Sequence, residues 1–428
     1  MHRCDPVVPA QDEALGVRAH EMTPVLRVGL LCDLPEEGWP SMDLVADRLE
    51  HHLRVEHPSV AVTRLCPPFV PRVGRFFGAA RGTVQPIADR LMNRHVDYPR
   101  WLRREAIERR FDLFHVVDHS YAHLVRDLPA ERSLVTCHDL DAFRGVLDPL
   151  AYARPLPLRV LAGRSLAGLR AAAAVVCDSH AVRDELLLHR VVPAGRVTVV
   201  PLGAHPSRSA KPDPGADMQA TALLGAPAVG TPELLHVGST IPRKRIDRLL
   251  EVFARVLDRV PRARLVRVGG ALTAPQRARA GRLGIDHRIT TLPFLDQPVL
   301  SAVYRRAALA VLTSDAEGFG LPVIEALASG TPVVATDLPV LREVGGSCVS
   351  YCRAGDLEHW VATVTNLLRE REQDPARWLM RQETGVLHAV GFSWGAFATE
   401  MVRLYRVLGR SAGSAAADLA APHGDDGT

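Results

Sequence analysis

The sequence is poor in lysine, in aromatic residues and in long apolar runs. Only two of its 52 basic residues are lysines, Lys211 and Lys244, and aromatic residues make up 5% of the chain. No apolar run approaches the roughly 20 residues that a membrane-spanning helix needs. We expect no signal peptide, because the first 23 residues contain acidic residues and no apolar core. The scarcity of aromatic residues favours an α/β architecture over a β sandwich.

Neither the cysteines nor the histidines form a convincing metal-binding pattern. Cys348 and Cys352 lie close together in the sequence, but no second pair accompanies them, so we expect reduced thiols in a cytoplasmic protein. His115, His119 and His123 recur every four residues, as zinc ligands on a helix face do. However, we expect His115 at the end of a strand, which breaks that face. The sequence therefore predicts no metal site.

Length and composition predict two domains. At 428 residues with 47% apolar residues, the chain exceeds what one compact core usually holds. Apolar strands alternate with amphipathic helices on both sides of a stretch rich in proline and glycine, which predicts two doubly wound parallel sheets. The predicted organisation is a disordered N-terminus (1–23), a first Rossmann-like domain (24–203), a linker (204–232), a second Rossmann-like domain (233–391) and a disordered tail (411–428).

One stretch of the second domain has the form of strand, glycine loop and helix. The apolar run 309–312 has the length of a buried parallel strand. Gly318 and Gly320 then permit a close backbone approach to a ligand, and Pro322 fits the first turn of a helix. The N–H groups of Gly320 and Leu321 open that helix, where its dipole favours an anion such as a phosphate.

Two carboxylates frame this predicted anion site. Glu317 lies on the loop, and Glu325 lies inside the helix. We expect Glu317 to face a polar group just beyond the strand, and Glu325 to accept hydrogen bonds from vicinal hydroxyls along the helix. A phosphate flanked by two acids that bind hydroxyls is typical of a nucleotide-sugar site.

The run from Glu317 to Glu325, Glu-Gly-Phe-Gly-Leu-Pro-Val-Ile-Glu, followed by Ala-Leu-Ala-Ser-Gly-Thr-Pro-Val-Val, resembles the signature of family-4 retaining glycosyltransferases of GT-B fold. The resemblance covers roughly residues 25–408. It implies two domains facing a cleft, with a C-terminal helix over 392–408 that crosses back to the first domain. It also implies a nucleoside diphosphate sugar, linked to UDP or GDP, as donor, with neither a cofactor nor a metal ion.

The resemblance also implies roles for residues outside that run. Arg243 and Lys244 resemble the pair that binds the donor diphosphate, although the family commonly has an arginine directly after Gly238, where this chain has Ser239. His138, followed by an aspartate, resembles the family's histidine beside the donor sugar.

Four catalytic residues are predicted. Lys244 and Arg243 would stabilise the leaving diphosphate, Glu317 would position the sugar, and His138 would lie near the reacting carbon. The presence of Lys244 in a chain that otherwise uses arginine indicates a need for a compact ammonium. The predicted donor-binding residues are Gly38, Gly238, Ser239, Phe294, Gly318, Phe319, Gly320, Leu321 and Glu325.

Residues 64–110 are strongly basic. They contain eleven arginines and four acidic residues, a local charge of +7 in a chain of net charge +4. Phe76-Phe77, Trp101-Leu102 and Ile107 are interleaved with them. This segment could contact an anionic membrane surface or a phosphorylated acceptor, or form a solvated face. We expect a cytoplasmic protein, either free or on the inner face of the membrane, with a glycan, lipid-linked or small-molecule acceptor and no nucleic-acid partner.

Three other functions fit parts of this pattern. A phosphorylase that uses pyridoxal phosphate needs a Schiff-base lysine, and neither Lys211 nor Lys244 is well placed for one. A nucleotide-sugar epimerase has the same architecture. A non-catalytic subunit of GT-B fold would bind a glycan or a partner, but the combination of Glu317, Glu325 and Lys244 argues against it.

Overall fold

The computed structural model describes residues 25–73, 86–228 and 230–420. The strands of the first sheet are β1 Leu26–Leu31, β2 Val60–Leu65, β3 Leu113–Val116, β4 Ser133–Cys137, β5 Ala174–Cys177 and β6 Val197–Val199. Those of the second are β7 Glu233–Val237, β8 Arg264–Val268, β9 Ile289–Leu292, β10 Leu309–Leu312, β11 Val333–Thr336 and β12 Val349–Cys352. Both sheets are parallel, in the orders β2-β1-β3-β4-β5-β6 and β12-β11-β10-β7-β8-β9.

Helices connect the strands and cover both faces of each sheet. In the first half they are α1 Pro40–Glu56, α2 Ile87–Met92, α3 Tyr98–Glu108, α4 Arg144–Leu147, α5 Leu156–Ala171 and α6 His180–Leu188. In the second half they are α7 Pro214–Leu224, α8 Ile246–Leu257, α9 Ala274–Arg282, α10 Gln297–Arg306, α11 Leu321–Ala328, α12 Pro339–Gly345, α13 Leu357–Gln373, α14 Pro375–Ala389 and α15 Trp394–Ala420. Among the described residues, no helix combines the length and the apolar character needed to cross a bilayer.

Apolar periodicity explains why these segments form these elements. β3, β4, β10 and β11 are buried along their whole length, as expected for central parallel strands covered on both faces. The strand predicted over 309–312 agrees with β10 to the residue. The two Rossmann-like domains of GT-B architecture are therefore present, with the carboxyl ends of their strands facing each other.

The last helix ties the two domains together. α15 lies against α1 of the first domain, and the Tyr405 hydroxyl is 2.7 Å from Nδ1 of the buried His115 on β3. The helix continues to Ala420, so residues 411–420, which the sequence analysis expects to be disordered, are helical. Their alanine content explains this, because alanine has the highest helix propensity.

The predicted linker 204–232 contains a helix. Pro214 occupies the first turn of α7, and the Asp213 carboxylate accepts a hydrogen bond from the N–H of Ala216 at 3.1 Å. Arg305 of α10 forms an ion pair of 2.5 Å with Asp217. This part of the connection is thus docked on the second domain.

Candidate active site

Two strand ends of the second sheet bring Lys244 and Glu317 together. The loop after β7 ends in a short turn that carries Lys244, and Glu317 follows β10. Lys244 Nζ lies 2.7 Å from Oε1 and 2.9 Å from Oε2 of Glu317. The Ser314 hydroxyl donates a third hydrogen bond to Oε1 at 2.6 Å. Both carboxylate oxygens are therefore engaged and their direction is fixed.

The pair is largely shielded from water. The Lys244 side chain is 12% exposed and that of Glu317 is 5% exposed. Burial alone would raise the pKa of Glu317, but the charges of Lys244 and Arg243, with the hydrogen bonds from Lys244 and Ser314, hold it below its ordinary value. Glu317 is therefore a carboxylate at neutral pH, which suits it to orient hydroxyls rather than to donate a proton.

Arg243 connects the second domain to the first. Its Nη1 donates a hydrogen bond to the Ala316 carbonyl at 3.0 Å, and its Nη2 lies 3.4 Å from the Asp139 carboxylate after β4. Burial acts to raise the pKa of Asp139, but His119 and Arg243 keep it below its ordinary value. Arg243 thus places a fixed positive charge in the cleft beside Glu317, 3.6 Å away.

An Asp-x-Asp pattern, Asp139 and Asp141, follows β4, although the sequence predicts no metal site. The nearest opposite charge to Asp139 is Arg243, as just described, and Arg144 lies 3.5 Å from Asp141. Among the described residues, no group of three or more histidines, cysteines and acids is arranged to hold a metal ion.

His138 lies in the cleft, but both of its ring nitrogens already have partners. Nδ1 is 2.5 Å from the Asp178 carboxylate, and Nε2 is 2.9 Å from the Val117 carbonyl oxygen. Burial opposes the charge of the ring, but Asp178 and Asp118 together raise the pKa of His138 to about 9. Because both partners only accept hydrogen bonds, the ring is an imidazolium that donates twice. His138 therefore contributes a fixed positive charge and its backbone, and it is not a proton acceptor.

The domains touch around Gly318. A Cβ at Gly318 would lie 1.8 Å from the carbonyl oxygen of His138. The Ser179 hydroxyl donates a hydrogen bond to the Gly318 carbonyl at 2.8 Å. Beside it, Glu343 of α12 accepts hydrogen bonds from the N–H groups of His180, at 2.7 Å, and Ala181, at 3.2 Å, which open α6. The glycine therefore permits the domains to close against each other.

The helix of the predicted anion site begins as expected. Gly320 caps α11 with a φ of 95°, in the left-handed region, and Leu321 is its first residue. Phe319 is 5% exposed, and its ring packs against Phe392 with a centroid distance of 5.9 Å. Phe319 therefore belongs to the core, and only its backbone is available to a ligand.

Glu325 is directed to a different cluster from Glu317. Its Oε1 lies 3.3 Å from Nη2 of the buried Arg208, and the Tyr304 hydroxyl donates to its Oε2 at 3.3 Å. Arg208 also donates hydrogen bonds to the carbonyl and side chain of Gln297. The sequence analysis had no signal for Arg208, because its partners lie about 90 residues or more away in sequence.

The other predicted donor-binding residues lie at loop positions on the facing edges. Gly38, with a φ of 71°, ends a turn after β1. Gly238 and the half-buried Ser239 follow β7, and Phe294, which is 62% exposed, follows β9. The structure thus brings Gly238 and Ser239 close to Lys244, and it leaves Phe294 on the surface.

A cavity of about 990 Å³ lies between the domains, mainly on the side of the first. His138, Asp139 and Arg243 border it, and Lys244 and Glu317 do not. Arg154 and Arg159, from α5 and the loop before it, also line the cavity, and neither forms an ion pair with an acidic residue within the described chain. The sequence analysis missed both, because arginines are common throughout this chain.

Just over half of the described arginines in the basic segment 64–110 are paired with acidic residues. Trp101 is half-buried and Leu102 is fully buried in the first domain, so they are not free to contact a membrane. Phe76-Phe77 and the side chain of Ile107 lie outside the described residues. Five of the arginines form ion pairs: Arg64 with Asp47, Arg72 with Asp97, Arg94 with Glu37, Arg103 with Asp127 and Arg109 with Glu105. Membrane contact by this segment stays a prediction.

Two family models match the chain. Residues 45–208 match the model described as Glycosyltransferase Family 4, and residues 226–379 match the model described as Glycosyl transferases group 1. The two matches cover most of the first and second domains, respectively.

Relatives and solved structures agree with these matches. The chain is 37% identical over 221 residues to D-inositol 3-phosphate glycosyltransferase of Nocardia farcinica, covering 49% of this chain and 47% of that protein. It is 32% identical over 295 residues to the protein of that name from Mycobacterium leprae, covering 66% and 65%. The matches thus span about half to two thirds of these relatives. Sucrose-phosphate synthase from Thermosynechococcus elongatus superposes with a TM-score of 0.71 at 21% identity, covering 90% of this chain and 100% of that one. The chain belongs to the family-4 glycosyltransferases of GT-B fold.

Proposed function

We propose that the protein transfers a sugar from a UDP- or GDP-linked donor to an acceptor hydroxyl, with retention at the anomeric carbon and without a metal ion or cofactor. The observation that carries this proposal is the Lys244–Glu317 pair, with Arg243 beside it, on a sheet edge that faces His138 and Asp139. Positive charge for a leaving diphosphate and a fixed carboxylate for sugar hydroxyls lie side by side there.

The reaction breaks the bond between the anomeric carbon and the diphosphate oxygen. A bond from the acceptor oxygen to the same face of that carbon replaces it, and the acceptor proton passes to the leaving phosphate. Lys244 and Arg243 stabilise the negative charge that develops on the diphosphate. One such preorganised donor typically contributes about a hundredfold or more in rate.

The environment of Glu317 supports front-face transfer over a covalent intermediate. Retaining glycosidases place two carboxyl groups about 5 Å apart across the reacting bond. Here Lys244 and Ser314 hold both oxygens of Glu317, and Glu325 faces Arg208 instead. Glu317 is therefore better suited to position the sugar than to attack it.

An anionic small molecule is the acceptor that the cavity favours. The relatives named above are D-inositol 3-phosphate glycosyltransferases. The guanidinium groups of Arg154 and Arg159, which form no ion pair with the described residues, line the cavity on the side of the first domain, where arginine forks suit a phosphate. We therefore propose a phosphorylated polyol as the first acceptor to test.

The test is a transfer assay with UDP- and GDP-sugars and with D-inositol 3-phosphate or unphosphorylated inositol. We expect nucleotide release that depends on the phosphorylated acceptor and persists in a chelator, and a product whose anomeric proton coupling shows retention. Arg154→Gln and Arg159→Gln should raise the KM of the acceptor, whereas Arg170→Gln, at the opposite end of α5, should not. Absence of transfer from every donor, or inversion in the product, would contradict the proposal.

A further inference from the structure

A buried arginine lies directly beneath the loop that leads to Lys244. Arg267 lies on β8, opposite His236 of β7 in the sheet register, and is 0% exposed. Its guanidinium donates a hydrogen bond of 2.8 Å to the Gly238 carbonyl and another to the Gly270 carbonyl. It therefore braces the loops that follow two adjacent strands at the carboxyl edge of the sheet.

The charge of Arg267 is not compensated. No acidic side chain of the described chain forms an ion pair with Arg267, and its Nε has no hydrogen-bond partner. Burial lowers the pKa of Arg267 below its ordinary value. Removing an unpaired charge from water is costly unless an opposite charge approaches it. The two carbonyl dipoles offset only part of that cost.

The neighbouring histidine neither neutralises nor adds to this charge. Burial, with the positive charges of Arg267 and Lys244, lowers the pKa of His236 to about 3, so its ring is neutral in ordinary buffers. The positive charge in this part of the sheet edge therefore comes from Arg267 and Lys244 and not from His236.

The loop above Arg267 packs closely against the loop that follows β8. A Cβ at Gly269 would lie 2.2 Å from the Gly238 carbonyl oxygen, so the two loops are in contact. A Cβ at Gly238 would lie 3.7 Å from Cε of Lys244. The half-buried Ser239 follows Gly238 and brings no charge of its own. Arg267 thus supplies positive charge beneath Gly238 and Ser239, which carry no charge themselves.

We propose that Arg267 is a positioning residue of the donor site, whose fixed charge beneath Gly238 strengthens binding of the donor diphosphate. This inference rests on the proposed function. A fully covered guanidinium does not touch the ligand. Arg267 would therefore act in two ways: it fixes the position of the loop, and its charge attracts the diphosphate through the low-dielectric interior, where charges interact more strongly than in water.

The experiment measures UDP and GDP binding by calorimetry in the full chain and three variants. Arg267→Met should weaken binding of the preferred diphosphate by about tenfold or more, since it removes a nearby charge in a poorly screened site, and should weaken UMP or GMP binding less. Arg267→Lys keeps the charge and should stay within about threefold of the native affinity. Arg264→Met, at the other end of the same strand, is the matched control and should bind normally.

A second substitution separates charge from folding. Ser239→Arg added to Arg267→Met should recover most of the lost diphosphate affinity, because it returns a cation to the same loop. Equal losses in the Met and Lys variants, or no recovery with Ser239→Arg in a chain that melts normally, would overturn the inference. If Arg267→Met binds the diphosphate as tightly as the native chain, only this inference is overturned. If the native chain binds neither UDP nor GDP, the proposed function is overturned as well.

Discussion

The ammonium of Lys244 lies within 2.9 Å of both carboxylate oxygens of Glu317. The two residues are 73 positions apart in sequence, and each follows a strand of the same parallel sheet. In this arrangement the glutamate holds the lysine in place and partly neutralises it. A diphosphate that approaches Lys244 therefore finds a cation whose position is already fixed, which is the condition for efficient charge stabilisation.

Removing either member of this pair should abolish most of the activity. Lys244→Ala and Glu317→Ala are each expected to lower turnover at least roughly a hundredfold, the loss typical of a preorganised charge-stabilising group. The measurement is the rate of sugar transfer at saturating donor, with circular dichroism to verify the fold. Lys211→Ala is the matched control, because Lys211 is the chain's other lysine and is exposed. Near-native turnover in either site variant would refute the assigned roles.

Gly318→Ala should impair catalysis more than stability. The added Cβ would meet the His138 carbonyl across the domain boundary at 1.8 Å, so the loop or the domains must shift. A displacement of about 1 Å in the site can cost on the order of a hundredfold in rate. Gly355→Ala is the control, since a Cβ there meets nothing within 4 Å. Steady-state kinetics that are unchanged in Gly318→Ala would show that the observed domain contact is not needed for turnover.

The stabilisation that His138 contributes should be lost at alkaline pH. Burial acts to lower its pKa, but Asp178 and Asp118 raise it from 6.5 to about 9 in the folded chain. The other titratable groups near its ring are His119 and His115. A raised folded pKa means that the stabilisation is fully present below pH 6.5 and is lost as the pH rises through about 9. The change should be at most about 3 kcal/mol.

Urea unfolding between pH 6 and 9.5 measures this effect. His138→Gln should have a lower free energy of unfolding than the native chain at pH 6, and this difference should shrink as the pH rises towards 9.5. The difference isolates His138, because the other buried histidines and the buried cysteines titrate in both proteins. Parallel pH profiles for the two proteins would show that His138 is not the titrating group.

Tyr405→Phe should weaken the attachment of the crossing helix α15. The substitution leaves Nδ1 of the buried His115 without its partner at 2.7 Å, and an unsatisfied buried polar atom costs about 1–3 kcal/mol. Chemical denaturation should show that loss, with little effect in Tyr152→Phe, because Tyr152 is exposed and its hydroxyl only accepts a hydrogen bond from Arg144 at 3.3 Å. Equal stability of the two variants would mean that the Tyr405 bond contributes nothing.

Local signals were sufficient for the fold and for half of the site. The apolar run 309–312 predicted a buried parallel strand and the Gly320–Pro322 step predicted the start of a helix, and the structure confirms both. The adjacency of Arg243 and Lys244 after a strand placed them at a carboxyl edge, where parallel topology gathers functional side chains. Helix α7, by contrast, was missed because its proline and glycine content is also typical of a loop.

The sequence by itself determined that Lys244 and Glu317 would lie at the same edge of a sheet, because parallel strands bring their carboxyl ends to one edge. It did not determine what each side chain would face. Three such contacts depend on residues distant in sequence: Glu325 contacts Arg208, Asp178 holds His138 as an imidazolium, and Arg267 is buried with no counter-charge among the described residues. Charge and hydrogen bonding act through space, so only the tertiary structure decided which of these groups are satisfied and which are left to bind a ligand.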